Sequence, residues 1–411
     1  MENLLFWLII GIIIFDFIFE KYLDYLNIKS LKEELPKELS GIYDKDKYKK
    51  SQLYEKETSK FSLVSSIFSL LIILGMLSLG GFTINDEFVR SITDNEYFRT
   101  LAFFGILGLA FDLVSLPFQI YSTFVIEEKY VFNKTTSKTL ITDKLKSWLI
   151  TVIIGGALMC FILWAWLSLD NLFVPVVLAG LTAFMIFMAM FYSSLIVPLF
   201  NKLLPLEDGS LKQKISDFAD KCNFRLKNIY TIDGSKRSTK ANAYFSGFGP
   251  KKMIVLFDTL IKDLSEDEIV AVLAHEVGHY KKKHIYKGLV ISIFQSAAML
   301  FLLSIALEYP AVSKSIGAVE PSFYMGIIAF GLLYSPISFL IGISTNKFSR
   351  SNEFEADEFA REYGFGEHLI NSLKKLSVNN LSNLTPHKLY VFFHYSHPTL
   401  LQRIAAIKKK Y

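Results

Sequence analysis

The residues His275 to His279 carry the clearest chemical signal in this chain of 411 residues. On a helix, His275 and His279 lie one turn apart on the same face, so both imidazoles can reach one metal ion. Glu276 lies between them, where its carboxylate could accept a proton from an attacking water and later donate it to a leaving amine. The motif predicts a hydrolytic metal centre; two surface histidines on an amphipathic helix are the alternative if it stands alone.

Ser265 and Glu268 predict where the helix that carries this motif begins. Their spacing is that of a capping box, in which each residue satisfies a free backbone N–H of the other. Apolar residues follow at helical spacing and predict a buried face: Ile269, Val270, Val272, Leu273 and Val277.

A catalytic zinc site usually has three protein ligands, and the segment around Glu353 offers the third. Glu353 and Asp357 are four residues apart, so both carboxylates would lie on one face of a helix. One could bind the ion while the other accepts the free N–H of a ligating histidine. A solvated acidic turn is the alternative. The remaining histidines are candidates by residue type alone: His284, His368, His387, His394 and His397.

The composition indicates a polytopic membrane protein. Mean hydropathy is +0.35, 15% of the residues are aromatic and 20% are charged. A helical span needs about 20 apolar residues. Seven stretches qualify, at approximately 4–19, 61–82, 98–126, 148–169, 173–200, 288–307 and 323–343. The net charge of +5 is spread along the chain without interleaved aromatic residues, so we expect no nucleic-acid partner.

The distribution of Lys and Arg predicts the orientation in the membrane. These residues concentrate in 21–60, 127–146, 201–287 and 346–411, whereas the alternate loops 83–97, 170–171 and 308–322 hold only Arg90 and Lys314. The positive-inside rule therefore places the C-terminus and both metal-binding segments in the cytoplasm. We divide the chain into spans 1–5 (1–200), a catalytic segment (201–287), spans 6–7 (288–345) and a C-terminal segment (346–411). A helix at 210–222 and strands at 228–232, 242–245 and 252–257 make the catalytic segment α+β.

Together, these motifs closely resemble the type I CAAX prenyl proteases, which are integral-membrane zinc metalloproteases of the gluzincin kind. The likeness includes the two metal-binding segments and extends over 116–134, 242–260 and 397–403. Its last part holds His397-Pro398-Thr399-Leu400 and Arg403. Tyr130-Val131 replaces the His-Gly frequent in the family, and the 308–322 loop is short. These departures favour a bacterial-type member in the inner membrane; a eukaryotic member would lie in the endoplasmic reticulum membrane.

The resemblance implies a mainly α fold in which seven transmembrane helices enclose a chamber, with a small cytoplasmic α+β catalytic region. It implies one Zn²⁺ per chain bound by His275, His279 and Glu353, with Glu276 as general base and Asp357 orienting a ligand histidine. For three further residues the resemblance implies a functional role, and a purely structural role is the alternative. Asn242 would contact substrate or be a turn residue, His397 would stabilise the oxyanion or be structural, and Arg403 would meet a substrate carboxylate or hold the region together.

The predicted function is cleavage near the C-terminus of prenylated or membrane-associated peptides. A membrane-protein quality-control protease with the same chemistry is the first alternative. A non-catalytic membrane binding protein with a relic metal site is the second, and the retained Glu276 argues against it. The partners expected are a peptide or protein substrate and the lipid bilayer. The sequence gives no oligomeric state.

Overall fold

Long helices make up most of the structure, a computed structural model that describes residues 1–32, 34–35, 41–224, 228–247 and 252–409. Among these residues, seven helical segments are long and apolar enough to cross a membrane, by length and composition. This confirms the number of predicted spans. The segments are Glu2–Lys29, Lys45–Ser78, Glu96–Glu127, Ser137–Ser168, Asp170–Phe200, His284–Glu308 and Phe323–Glu362.

Several of the first five spans are built from more than one helix. In chain order the helices are α1 (Glu2–Lys29), α2 (Lys45–Ser78), α3 (Gly81–Ile92), α4 (Glu96–Tyr121), α5 (Ser137–Ile150), α6 (Gly156–Ser168), α7 (Phe173–Leu195) and α8 (Val197–Phe200). Two π-helical stretches, Ser122–Glu127 and Thr151–Gly155, extend α4 and join α5 to α6. Such wide turns bend a helix without ending it.

The polar segments contain a small sheet and further helices. The remaining elements in chain order are β1 (Leu203–Pro205), α9 (Ser210–Lys221), β2 (Asn228–Ile232), β3 (Ala243–Ser246), β4 (Met253–Phe257), α10 (Asp258–Asp263), α11 (Glu266–Lys281), α12 (His284–Glu308), α13 (Pro310–Lys314), α14 (Phe323–Glu362), α15 (Gly366–Asn379), α16 (Lys388–His394) and α17 (Leu400–Lys408). The strand expected at 242–245 begins and ends one residue later, so Asn242 precedes the strand rather than lying on it.

The seven spans pack side by side as a closed ring. α1 contacts α2, and α2 contacts the π-helical end of α4. Next, α4 contacts α6, α6 contacts α7, α7 contacts α12, and α12 contacts α14. A contact between α14 and α1 completes the ring. Only 6–11% of the most apolar stretch of each span is buried inside the protein. A solid bundle would bury more of its inward faces. This sparse interior fits the expected ring of helices around a chamber.

A cluster around Asp86 of α3 lies at one end of the ring. Asp86 is fully buried and accepts hydrogen bonds from the Tyr324 hydroxyl (2.5 Å), Arg90 Nε (2.8 Å) and the Val319 backbone N–H (3.2 Å). The ring of Phe103 on α4 lies 4.6 Å from that of Tyr324. These contacts join α3 and α4 to the start of α14, roughly 40 Å along α14 from Glu353 at 1.5 Å per residue.

The other end carries the four-stranded sheet and its helices. The strand order is β1-β2-β4-β3, with β2 and β4 parallel and the other two pairs antiparallel. β3 is therefore an edge strand. One hydrophobic core joins Leu256 of β4, Leu273 of α11, Ile370 of α15 and Ile407 of α17. The two polar segments, which are separated in sequence by two spans, thus pack around α11 as one unit.

Candidate active site

Helix α11 is fixed at its start by the predicted capping box. The Ser265 hydroxyl accepts from the backbone N–H of Glu268 (3.4 Å), and the Glu268 carboxylate accepts from the backbone N–H of Ser265 (2.8 Å). Lys375 of α15 also donates to Glu268 (2.7 Å). Burial raises the pKa of Glu268, but Lys375 and Ser265 outweigh it and the net pKa is lowered. A charged Glu268 therefore ties α11 to α15.

The three candidate metal ligands, His275, His279 and Glu353, converge on one point and are called the triad below. Nε2 of His275 lies 3.1 Å from Nε2 of His279, and these atoms lie 3.4 and 3.3 Å from the Glu353 carboxylate oxygens. One potential ligand atom from each residue lies within 4.8 Å of the others. The arrangement brings together two residues from α11 and one from α14, although 74 residues separate His279 from Glu353 in sequence.

Gly278 allows α11 and α14 to approach closely enough for this convergence. A Cβ atom at Gly278 would lie 3.0 Å from Cα and 3.1 Å from the carbonyl oxygen of Ala356. Because both neighbours are backbone atoms, neither can move away as a flexible side chain can. The small residues at 278 and 356 therefore set the distance between the histidines and Glu353.

The triad fits a divalent transition metal. Two imidazole nitrogens and one carboxylate are the donors of a catalytic zinc site, and cobalt or manganese accepts the same set. Within the part of the chain that the structure describes, Glu353 Oε2 is buried and takes part in no hydrogen bond, although Arg403 Nη1 lies 3.3 Å away. A buried carboxylate oxygen is costly to leave without a hydrogen bond. A metal ion at the triad would give it a direct ligand bond.

Asp357 and Arg403 hold the other side of the His275 ring. Nδ1 of His275 lies 2.9 Å from Asp357 Oδ1. Arg403 contacts Asp357 through Nε (2.8 Å) and Nη2 (2.5 Å), and its Nη1 lies 3.3 Å from Glu353. His275, Asp357 and Arg403 are all buried. The three guanidinium nitrogens are thus already engaged by carboxylates of the site.

The surroundings of His275 favour a positive charge. Burial and the Arg403 cation lower the pKa of its imidazole, but Asp357 and Glu353 outweigh them and raise the pKa to about 9. A metal ion competes with protons for the same nitrogen atom. The carboxylates that favour a proton here would equally favour a divalent cation.

His279 has a different neighbour, His284, which sequence reasoning offered only as an alternative ligand. The two Nδ1 atoms lie 2.9 Å apart, and Nε2 of His284 lies 3.1 Å from Glu355 Oε2. His284 therefore lies behind the triad rather than in it. Five residues separate the two histidines, which no simple helical pattern brings together.

The remaining predicted residues surround the triad at different distances. Nε2 of His397 lies 3.4 Å from Glu353 Oε1, and its side chain is 64% exposed. Glu276 is half-buried on α11, and it is one of the carboxylates that raise the pKa of Arg403. Asn242 is exposed at the start of the edge strand β3, where its carbonyl accepts from the backbone N–H of Phe257 (3.1 Å). Its side-chain oxygen accepts from the backbone N–H of Ala243 (2.9 Å), and no hydrogen bond joins it to the triad among the described residues.

Comparisons with known proteins cover almost the whole chain. The family model for the CAAX prenyl protease N-terminal region, with five membrane helices, matches residues 24–202, and that for peptidase family M48 matches residues 205–411. CAAX prenyl protease 1 homolog of Arabidopsis thaliana is 34% identical over 97% of this chain and 96% of its own length. CAAX prenyl protease 1 of Saccharomyces cerevisiae is 34% identical over 97% and 94%, respectively.

The fold comparison agrees with these matches. The crystal structure of S. mikatae Ste24p is similar with a TM-score of 0.92 and 35% identity, covering 99% of both chains. The grouping of His275, His279 and Glu353, the seven membrane helices and the full-length sequence similarity all point to the same family. This chain belongs to the CAAX prenyl proteases of peptidase family M48 and is a membrane metalloprotease acting on peptide or protein substrates.

Proposed function

We propose that this protein binds one Zn²⁺ ion through His275, His279 and Glu353 and cleaves prenylated peptides near their C-terminus. The observation that carries the proposal is the convergence of these three side chains at the buried Glu353 carboxylate, whose Oε2 accepts no hydrogen bond among the described residues. The family supplies the reaction type, since its relatives are named CAAX prenyl proteases.

Each neighbouring residue has a distinct role in the proposed reaction. The bound ion would polarise the scissile carbonyl and make the attacking water more acidic. Glu276 accepts the proton from this water and passes it to the leaving amine. His397, exposed beside Glu353, donates a hydrogen bond to the oxyanion that develops on the carbonyl oxygen. Asp357 orients the His275 ring by accepting its Nδ1–H.

The edge strand β3 provides a surface for an extended peptide. Its outer backbone groups face away from β4, and Asn242 stands at its first end. A peptide that pairs with a free strand edge gains main-chain hydrogen bonds whatever its side chains are. We assign Asn242 to substrate binding on this basis.

Arg403 is better suited to holding the site together than to binding substrate. A substrate carboxylate would need free guanidinium donors, whereas Asp357 and Glu353 contact all three nitrogens of Arg403. We therefore propose that Arg403 has a structural role and holds the Asp357 and Glu353 carboxylates in place.

The proposed location of the site is the cytoplasmic face of the membrane. His279 precedes by five residues the span that begins at His284, and Glu353 belongs to the last span. The Lys and Arg distribution favours the cytoplasmic side for this end of the ring. A peptide anchored by a prenyl chain would meet the metal at this depth, which favours a lipidated substrate. The membrane system, bacterial or endoplasmic reticulum, stays a prediction.

One peptide assay distinguishes the candidate functions. Detergent-purified protein, its Glu276→Gln variant and the exposed control Glu362→Gln are given a farnesylated CAAX peptide and the same peptide without lipid. Cleavage of the farnesylated peptide alone, lost in Glu276→Gln and kept in the control, supports the proposal. Equal cleavage of both peptides favours quality control. Zinc-loaded protein that cleaves neither peptide would favour the relic-site alternative.

A further inference from the structure

A second chain of polar side chains lies directly behind the metal-ligand triad, and the proposed reaction makes no use of it. It runs from Nδ1 of His279 to Nδ1 of His284 (2.9 Å) and from Nε2 of His284 to Oε2 of Glu355 (3.1 Å). His284 is buried, with 5% of its surface exposed. The chain joins α11, the first residue of α12, and α14.

Metal binding fixes the direction of both hydrogen bonds. A histidine that gives the lone pair of Nε2 to a metal carries its proton on Nδ1. Nδ1 of His279 is then the donor, and Nδ1 of His284 must be the acceptor. A neutral His284 that accepts at Nδ1 carries its own proton on Nε2, which donates to the Glu355 carboxylate. One tautomer of each ring satisfies both contacts, so that each hydrogen bond has one donor and one acceptor.

We propose that His284 and Glu355 are positioning residues that orient His279 for metal binding, an inference that rests on the proposed metal site. His275 meets a carboxylate directly, through Asp357, whereas His279 reaches one through a second imidazole. The two ligand histidines are therefore held by different residues, His275 by Asp357 and His279 by His284. His284 acts through His279 and does not touch the metal-binding point.

The break between α11 and α12 makes this contact geometrically available. In a continuous helix, residues five apart point roughly 140° away from each other, because each residue turns by 100°. Lys283 instead adopts a left-handed conformation with φ of 60°. The helical course is interrupted there, and Nδ1 of His284 lies 2.9 Å from Nδ1 of His279. Lys287 adds a contact to Glu355 (3.4 Å), which keeps the carboxylate at the end of the chain.

Zinc affinity measured on the full-length protein in detergent tests the inference. Competition with a chromophoric zinc chelator gives the affinity of His284→Ala, His284→Asn, Glu355→Gln and the double variant His284→Ala/Glu355→Gln. His368→Ala and Glu362→Gln are matched controls, because both side chains are exposed on nearby helices. Visible spectra of the cobalt-loaded proteins report ligand geometry independently of peptidase activity.

The expected result is a graded loss. His284→Ala should weaken zinc binding about 10- to 100-fold, the usual effect of removing such a support. Glu355→Gln should weaken it less, since Glu355 acts through His284. The double variant should resemble His284→Ala alone, because members of one chain are not additive. His284→Asn should recover part of the affinity, since its amide oxygen can accept the His279 Nδ1–H. The cobalt bands should change in His284→Ala and Glu355→Gln and stay constant in both controls.

Three outcomes would overturn the inference. Wild-type protein that binds zinc tightly, with His284→Ala and Glu355→Gln within about twofold of it, would show that neither residue supports the ligand. Additive losses in the double variant would show that they act separately. Wild-type protein that takes up no zinc would remove the proposed metal site itself and this inference with it. Glu355 is 39% exposed, so Glu355→Gln remains informative even if His284→Ala fails to fold.

Discussion

Arg403 is a residue whose importance lies in burial rather than in charge alone. Its side chain is 10% exposed, and its guanidinium contacts the Asp357 carboxylate, whose side chain is 2% exposed, through two nitrogens. Removing one partner of a buried ion pair leaves the other charge without compensation, which costs about 3–5 kcal/mol. An exposed pair such as Lys212–Asp208 contributes little, because water and salt screen its charges.

We therefore expect Arg403→Ala to lower the free energy of unfolding by about 3–5 kcal/mol, whereas Lys212→Ala changes it little. Denaturant titration of both variants in detergent, followed by circular dichroism, measures the difference. Equal stabilities for the two variants would contradict the structural role proposed for Arg403.

The charge of Glu268 predicts a pH dependence. Because its pKa is lower in the folded protein than its ordinary value of 4.5, its contribution to stability is complete above that value. The contribution is lost as the pH falls through the folded pKa. Wild-type protein should exceed Glu268→Gln in stability at pH 7, and the gap should narrow below about pH 4.5. Thermal unfolding of both proteins across pH 3.5–7 checks this; a gap that widens on acidification would refute it.

At the scale of elements, the contact between α11 and α14 decides whether a metal site exists. Gly278 faces the backbone of Ala356 at the centre of this contact. One added methyl group must either separate the helices or distort them, and overpacking of this kind costs about 1–3 kcal/mol. The same movement carries His275 and His279 away from Glu353.

Gly278→Ala should therefore lower zinc affinity by about tenfold or more, because ligand geometry tolerates shifts of only a few tenths of an ångström. Gly288→Ala is the matched control, since a Cβ atom there meets nothing within 4 Å. Chelator competition compares the two variants. Unchanged affinity in Gly278→Ala would mean that the helices adjust without moving the ligands.

At the scale of the whole molecule, the two ends of the ring of spans differ in structure. The sheet and the helices around α11 lie at one end, and the Asp86 cluster joins α3, α4 and α14 at the other. The two ends lie too far apart for direct contact, so a substitution in the Asp86 cluster should lower stability without changing metal binding.

Asp86→Leu should lower the unfolding temperature, because it leaves the Tyr324 hydroxyl and Val319 N–H without a buried acceptor. Zinc affinity should remain within about twofold of wild type, since sites this far apart seldom couple. Thermal unfolding and chelator competition on the same preparation check both parts. A parallel loss of affinity would show that the ring transmits strain between its ends.

The sequence predicted elements well where local patterns define them. Seven apolar runs gave seven spans, and Ser265 with Glu268 gave the start of α11, because hydropathy and capping are local properties. Glu353 was found because its i, i+4 partner Asp357 lies on the same helix. Long-range relations were inaccessible: no local signal reveals that α14 returns to α1, or that Arg403 is enclosed by two carboxylates.

His284 shows the limit most clearly. It was one of five histidines with equal standing by residue type, and its helix begins after the motif helix has ended. Its role depends on a single left-handed residue, Lys283, and on Glu355, 71 residues further along the chain. Backbone reversals at non-glycine residues have only a weak sequence signature.

The position of His284 as the first residue of a membrane span ties the metal site to lipid mechanics. α12 has 25 residues, and its apolar stretch at 288–307 is about 30 Å long at 1.5 Å per residue, which matches a hydrocarbon layer of about 30 Å. In a thinner bilayer this stretch is longer than the layer and the helix tilts, and a tilt displaces the end that contacts His279. We expect zinc affinity to differ between nanodiscs of short-chain and long-chain phosphatidylcholine, and the difference to vanish in His284→Ala. Identical affinities in both lipids would mean that α12 is held rigidly by α7 and α14.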